Sequence, residues 1–153
     1  MNNKPIIYLA GNMTPSAENY YKWTDRISEL PRPKGWGFSA RLGKKLEHKF
    51  RSSISEFKTG EKWIVRQDLG RLQNAHMVIV NLGVTDSAHH LTGLVVECYE
   101  AYKQNMPVYA FTSQEFERSQ QGNSPWLQYS ITQEFTTEDE LIEYLLESEN
   151  LIV

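Results

Sequence analysis

Asp68 and Glu97 are two acidic residues whose places in the hydrophobic pattern call for a reason. On a helix turning 100° per residue, Ile64, Val65, Leu69, Leu72 and Ala75 form an apolar stripe, and Asp68 falls inside it. An ionised carboxylate facing a core is costly unless it is paired or hydrogen-bonded. Asp68 is therefore either a tie between its helix and a neighbouring loop or a working group at a site. Glu97 lies one turn into a helix that opens at Thr92-Gly93. Leu94, Val95, Cys98, Tyr99, Ala101 and Tyr102 form the expected buried side of that helix, with Glu97 at its edge. There Glu97 either complements the helix dipole or overlooks a ligand crevice. Gly11-Asn12-Met13-Thr14 follows an apolar run, where glycine permits a tight turn and close approach of backbone to a ligand. The further glycines of a dinucleotide-binding fingerprint are missing.

Other reactive residue types are less well placed. Thr85, Asp86, Ser87, His89 and His90 share one loop, but no third ligand accompanies the histidine pair, and no Cys/His set has zinc spacing. No metal and no cofactor are expected. Cys98, the single cysteine, falls on the buried stripe and should behave as a small apolar residue in a reducing compartment. A cluster of Arg41, Lys44, Lys45, His48, Lys49 and Arg51 reads as a solvated helix face that could draw a phosphate. With 16 basic and 19 acidic residues and a net charge of -3, the chain lacks the positive excess of a protein that grips nucleic acid polymers.

The elements that must position these residues follow from the pattern. A length of 153 residues suits one domain, taken as residues 1–153, with no internal repeat and no linker. Near-continuous apolar runs at 6–10, 77–82 and 108–111 suit strands of a parallel sheet covered on both faces. Helical patterns at 17–29, 60–75, 93–104 and 138–147 separate them, the last opened by a capping box, Thr137-Glu138-Asp139-Glu140. Further strands are expected at 36–40 and 131–135. The alternation predicts a doubly wound, mostly parallel five-stranded α/β sheet flanked by helices, Rossmann- or flavodoxin-like, with ligands at the carboxyl ends of the strands. The apolar run at 6–10 is too short for a signal core or a membrane span, which predicts a cytoplasmic protein with no membrane partner.

Four motifs in order carry a resemblance. Ile7-Tyr8-Leu9-Ala10-Gly11 opens the chain's first strand; Asp68 precedes Met77-Val78-Ile79-Val80-Asn81-Leu82; Thr92-Gly93-Leu94-Val95-Val96-Glu97 follows; Pro107-Val108-Tyr109 comes ten residues beyond the glutamate. Together, across about residues 6 to 112, they resemble the nucleoside 2-deoxyribosyltransferase-like family, which includes deoxynucleoside 5′-monophosphate N-glycosidases. The resemblance implies cleavage of an N-glycosidic bond with Glu97 as nucleophile, Asp68 binding the sugar or managing the leaving base's proton, and Tyr8 holding Glu97. It also implies that Gly11, Asn12 and Met13 border the sugar or base, with Asn81, Thr92 and Gly93 at the substrate. Asn123-Ser124-Pro125-Trp126-Leu127 lies where the family places a segment reaching a neighbouring subunit, which implies a homo-oligomer with Asn123 at the substrate; a plain polar loop is the other reading.

The sequence departs from the family at three places. Leu91 stands where the transferases keep an aspartate and the hydrolases a serine, Leu94 replaces a threonine, and His76 replaces an aspartate. Two alternatives to nucleoside or nucleotide cleavage follow: a binding module that sequesters a nucleotide without cleaving it, and a glycohydrolase acting on NAD.

Overall fold

Parallel strands buried on both faces form where the apolar runs predict them. The computed structural model describes residues 6–11, 22–30, 37–39, 59–84 and 91–147. Among these, the strands are β1 (Ile6–Gly11), β2 (Gly37–Ser39), β3 (Met77–Asn81), β4 (Gly83–Val84), β5 (Val108–Phe111), β6 (Glu117–Arg118) and β7 (Gln133–Glu134). The helices are α1 (Lys22–Ser28), α2 (Thr59–Gln73), α3 (Thr92–Lys103), α4 (Pro125–Gln128) and α5 (Glu138–Glu147). Parallel hydrogen bonding joins β1 to β2 and β3, β3 to β5, and β5 to β7, giving the order β2-β1-β3-β5-β7. This is an α/β fold with helices flanking a mostly parallel sheet.

Alternation along each strand feeds two cores. Tyr8, Ala10, Val78, Val80, Val108 and Ala110 point to one face, where Leu72 of α2, Leu94 and Cys98 of α3, and Leu127 of α4 cover them. Ile7, Leu9, Met77, Ile79, Tyr109 and Phe111 point to the other, against Trp23 and Ile27 of α1 and Leu141 and Leu145 of α5. Trp23 meets the Phe111 ring edge-on, centroids 5.5 Å apart. The predicted box at the start of α5 forms in part: Thr137 Oγ1 accepts from the Glu140 amide at 3.2 Å, while the Glu140 carboxylate accepts from the Thr136 amide at 3.1 Å, one residue before the cap. At the other end of α3, Asn105 takes the left-handed conformation (φ 55°), and Met106 donates to the Ala101 carbonyl. Asparagine tolerates that cap, and Pro107 beyond it cannot continue a helix.

Several expectations need correction. The stripe on α2 is real only toward its end: Leu72 and Ala75 are buried, but Val65 is more than half exposed. On α3 the buried residues are Leu94, Glu97, Cys98 and Ala101, whereas Tyr99 and Tyr102 are exposed. The helix is thus rotated from the expected orientation, carrying Glu97 from the edge into the buried face. The strand expected at 77–82 ends at Asn81, and the chain continues into β4, which pairs antiparallel with β6 in a separate ribbon not foreseen from the pattern. The expected strand at 131–135 is confined to Gln133–Glu134. Residues 17–21, 36 and 40 of the expected elements, and the basic cluster at 41–51, lie outside the described residues.

Candidate functional site

Glu97 is the sixth residue of α3, so about 7–8 Å of helix separates it from the helix start. Tyr8 lies three residues before the end of β1, about 10 Å back from the carboxyl edge of the sheet. Both belong to the same layer, since α3 packs on β1 and Tyr8 shares its core with Leu94, Cys98 and Ala101. Glu97 is only 5 % exposed and Tyr8 1 %. A carboxylate so enclosed is held out of bulk water, where its charge acts strongly on its neighbours. Cys98 registers that charge: its thiol is pushed well above the ordinary range, first by burial and then by the Glu97 carboxylate. Cys98 is consequently a packed thiol, not a nucleophile.

Asp68 is half-buried on α2, and α2 packs against α3. Tyr8, Asp68 and Glu97 thus come from three elements gathered on one side of the sheet. Gly11 and Asn81 end β1 and β3 as register partners, at the carboxyl edge. Thr92 and Gly93 are exposed at the first turn of α3, and Leu91, which precedes it, offers no side-chain cap. Asn12, Met13 and the loop residues 85–90 lie outside the described residues.

Asn81 is fully buried, and its amide is engaged within the protein. Its Nδ2 donates to Ser113 Oγ at 3.0 Å, while its Oδ1 accepts from the Gly83 amide at 2.9 Å and the Ser113 amide at 3.2 Å. This buried knot fixes the chain leaving β3 to the chain leaving β5. Gly83 is required by its closeness: a Cβ there would lie 2.9 Å from Ser113 Oγ and 3.0 Å from Phe116 Cβ. Ser113 and Gly83 were not singled out from the sequence, although a glycine directly after a buried strand was a signal of close approach.

Asn123 is exposed at the end of a 3₁₀ turn, Gln120–Asn123, and its Oδ1 accepts from Arg118 Nη1 at 2.6 Å. The same guanidinium grips Glu134 through Nε at 2.7 Å and Nη2 at 3.2 Å. Gln121 of that turn accepts a hydrogen bond from the Leu91 amide. The turn is thereby attached to the entry of α3, the helix that carries Glu97. The sequence pattern gave no indication of Gln121 or Arg118, because both act through contacts distant in the chain.

Among the described residues, no group of three His, Cys, Asp or Glu side chains is placed to hold a metal ion, and no helix is long and apolar enough to cross a membrane. Compared with known proteins, the chain matches no family model and no curated protein.

Proposed function

We propose that the protein cleaves the N-glycosidic bond of a (deoxy)nucleoside or nucleoside monophosphate, with Glu97 as nucleophile and transfer of the sugar to another base or to water. The observation that carries this reading is the burial of Glu97 on the side of α3 whose Leu94, Cys98 and Ala101 pack in one core with Tyr8. In the reaction, a Glu97 oxygen bonds to the anomeric carbon as the bond to the base nitrogen breaks, and the base leaves with a proton. Asp68 is suited to manage that proton from the adjoining helix. Water or an incoming base then attacks the anomeric carbon and releases the Glu97 carboxylate.

The site in this reading belongs to a doubly wound sheet of five strands. The chain passes from β1 to β2 on one side and to β3 on the other, so a crevice opens between the carboxyl ends of β1 and β3, beside Gly11. Asn12, Met13, Thr92 and Gly93 border it, while Asn81 supports its wall. The protein works in the cytoplasm as a homo-oligomer on a small-molecule substrate. Glu97→Gln keeps the side chain's shape and removes its nucleophilic charge. Product chromatography over a panel of nucleosides, nucleotides and NAD should show base release by the wild type and none by this variant. Wild-type turnover in a folded Glu97→Gln protein would exclude the mechanism.

A second reading, a module that binds a nucleotide without cleaving it, is favoured by Leu91 and Leu94. Both are buried in the core, where the family it resembles carries polar groups. A nucleotide that stays intact beside an unaltered Glu97 would decide for binding.

A further inference from the structure

Helix α3 starts without the side chains that ordinarily close a helix start. Its N-cap is Leu91, whose side chain makes no capping bond. The third helical position, from which a glutamate or glutamine reaches back to the N-cap amide in a capping box, holds Leu94. Leu94 is buried in one core with Tyr8 and Cys98. The Leu91 amide is nevertheless engaged, because Gln121 Oε1 accepts its hydrogen bond from 30 residues along the chain. Gln121 thus does from outside the helix what a capping-box side chain does from within.

The turn that presents Gln121 is itself fastened to the sheet. The Gln121 amide donates to Ser119 Oγ at 3.2 Å, and the amide of the fully buried Ser119 donates at 3.0 Å to the carbonyl of Leu82, just beyond β3. Gln128 of α4 donates through Nε2 to the Gly122 carbonyl at 2.6 Å, and Arg118 joins Asn123 to Glu134 of β7. The segment after this turn meets the far end of α3, where the Tyr102 hydroxyl donates to that of Tyr129 at 2.9 Å. Glu97 lies between these two points of attachment.

We infer that Gln121 is a positioning residue for Glu97: it ties the start of α3 to the sheet that carries Tyr8, and so sets the seat of the carboxylate. This role rests on the reading of Glu97 as nucleophile. Glu97 is the sixth residue of α3, so a first turn released from Gln121 opens toward the turn that holds the carboxylate. A nucleophile tolerates little displacement from its line of attack.

The test compares Gln121→Met, which keeps the length of the side chain and removes its acceptor, with Gln121→Glu, which keeps an acceptor and adds a negative charge suited to a helix start. Cys98, fully buried and next to Glu97, reports the seating of α3 through its rate of reaction with a thiol reagent in the native protein. In Gln121→Met that rate should rise about tenfold beyond what the change in global stability, measured by urea unfolding, accounts for, as befits an amide deprived of its acceptor. Gln121→Glu should label as slowly as the wild type. With a substrate that the wild type cleaves, kcat should fall about tenfold in Gln121→Met at unchanged KM, and recover in Gln121→Glu. A Cys98 rate that follows global stability alone, or equal rates in the two variants, would overturn the inference, as would an unchanged kcat in an active Gln121→Met protein. A wild type that cleaves nothing would instead end the reading of Glu97 as nucleophile, and the labelling comparison would still decide whether Gln121 seats α3.

Discussion

Replacing Gly83 by alanine adds one methyl group where the chains leaving β3 and β5 approach closely. That methyl would stand 2.9 Å from Ser113 Oγ, 3.0 Å from Asn81 Oδ1 and 3.0 Å from Phe116 Cβ. Gly83 does not use the left-handed region, so the backbone accepts alanine and the cost is steric. Ser113 cannot simply turn away, because its Oγ accepts from Asn81 Nδ2, and Phe116 meets the methyl with an atom next to its own backbone. Overpacking of this kind costs about 1–3 kcal/mol. Loss of one hydrogen bond of the Asn81 knot adds about 1 kcal/mol. The sum, about 2–4 kcal/mol, corresponds to a fall in Tm of roughly 5–15 °C for a chain of this size. Urea and thermal unfolding of Gly83→Ala measure it. The double variant with Ser113→Gly removes the nearest clashing atom, so the two changes should couple favourably by about 1 kcal/mol in a double-mutant cycle. A Gly83→Ala protein as stable as the wild type, or a cycle with no coupling, would refute the claim that this contact is tight.

The other glycine of interest behaves in the opposite way. At Gly70, inside α2, a Cβ would meet nothing within 4 Å, so Gly70→Ala should stabilise the protein by about 1 kcal/mol in the same unfolding assay. Cys98, fully buried and with its thiol pushed up by burial and by Glu97, should resist a thiol reagent at neutral pH until the protein is unfolded; prompt labelling of the native state would contradict its placement. Glu138 gives a pH dependence of definite sign. Its carboxyl binds a proton more tightly in the folded chain than in the unfolded one, so its contribution to stability is full below the ordinary glutamate pKa of about 4.3 and is lost as pH rises through the folded value. The stability of wild type relative to Glu138→Gln, followed by urea unfolding across that range, should therefore decline with rising pH.

The sequence by itself determined the main strands and helices and their order. The apolar runs at 6–10, 77–82 and 108–111 became β1, β3 and β5 because strands buried on both faces need continuous apolar character, a property local to the chain. The start of the helix at 138–147 was legible, since Thr137 and Glu140 form its cap within a few residues of one another. Position 97 was marked as a candidate by its spacing from Tyr8, Asp68, Gly93 and Pro107. Its enclosure was not. Two stripes run along α3 at helical spacing, Leu94-Cys98-Ala101 and Val95-Tyr99-Tyr102, and either is apolar enough to seek a core.

Tertiary structure chose between them. Tyr102 turns outward, where its hydroxyl donates to the Tyr129 hydroxyl of the neighbouring segment at 2.9 Å, and Tyr99 is exposed beside Lys103. The smaller stripe fits against Tyr8, Val78 and Val80, which leaves the sheet-facing side of the helix to Leu94, Cys98, Ala101 and the Glu97 between them. The Asn81, Gly83 and Ser113 knot was equally invisible in advance, because it joins positions 32 residues apart whose hydrogen bonds depend on β3 and β5 lying side by side. Local pattern fixes which segments are helix and strand; the rotation of a helix on its sheet, and hence the setting of its carboxylate, depends on the shapes of side chains that meet only when the chain is folded.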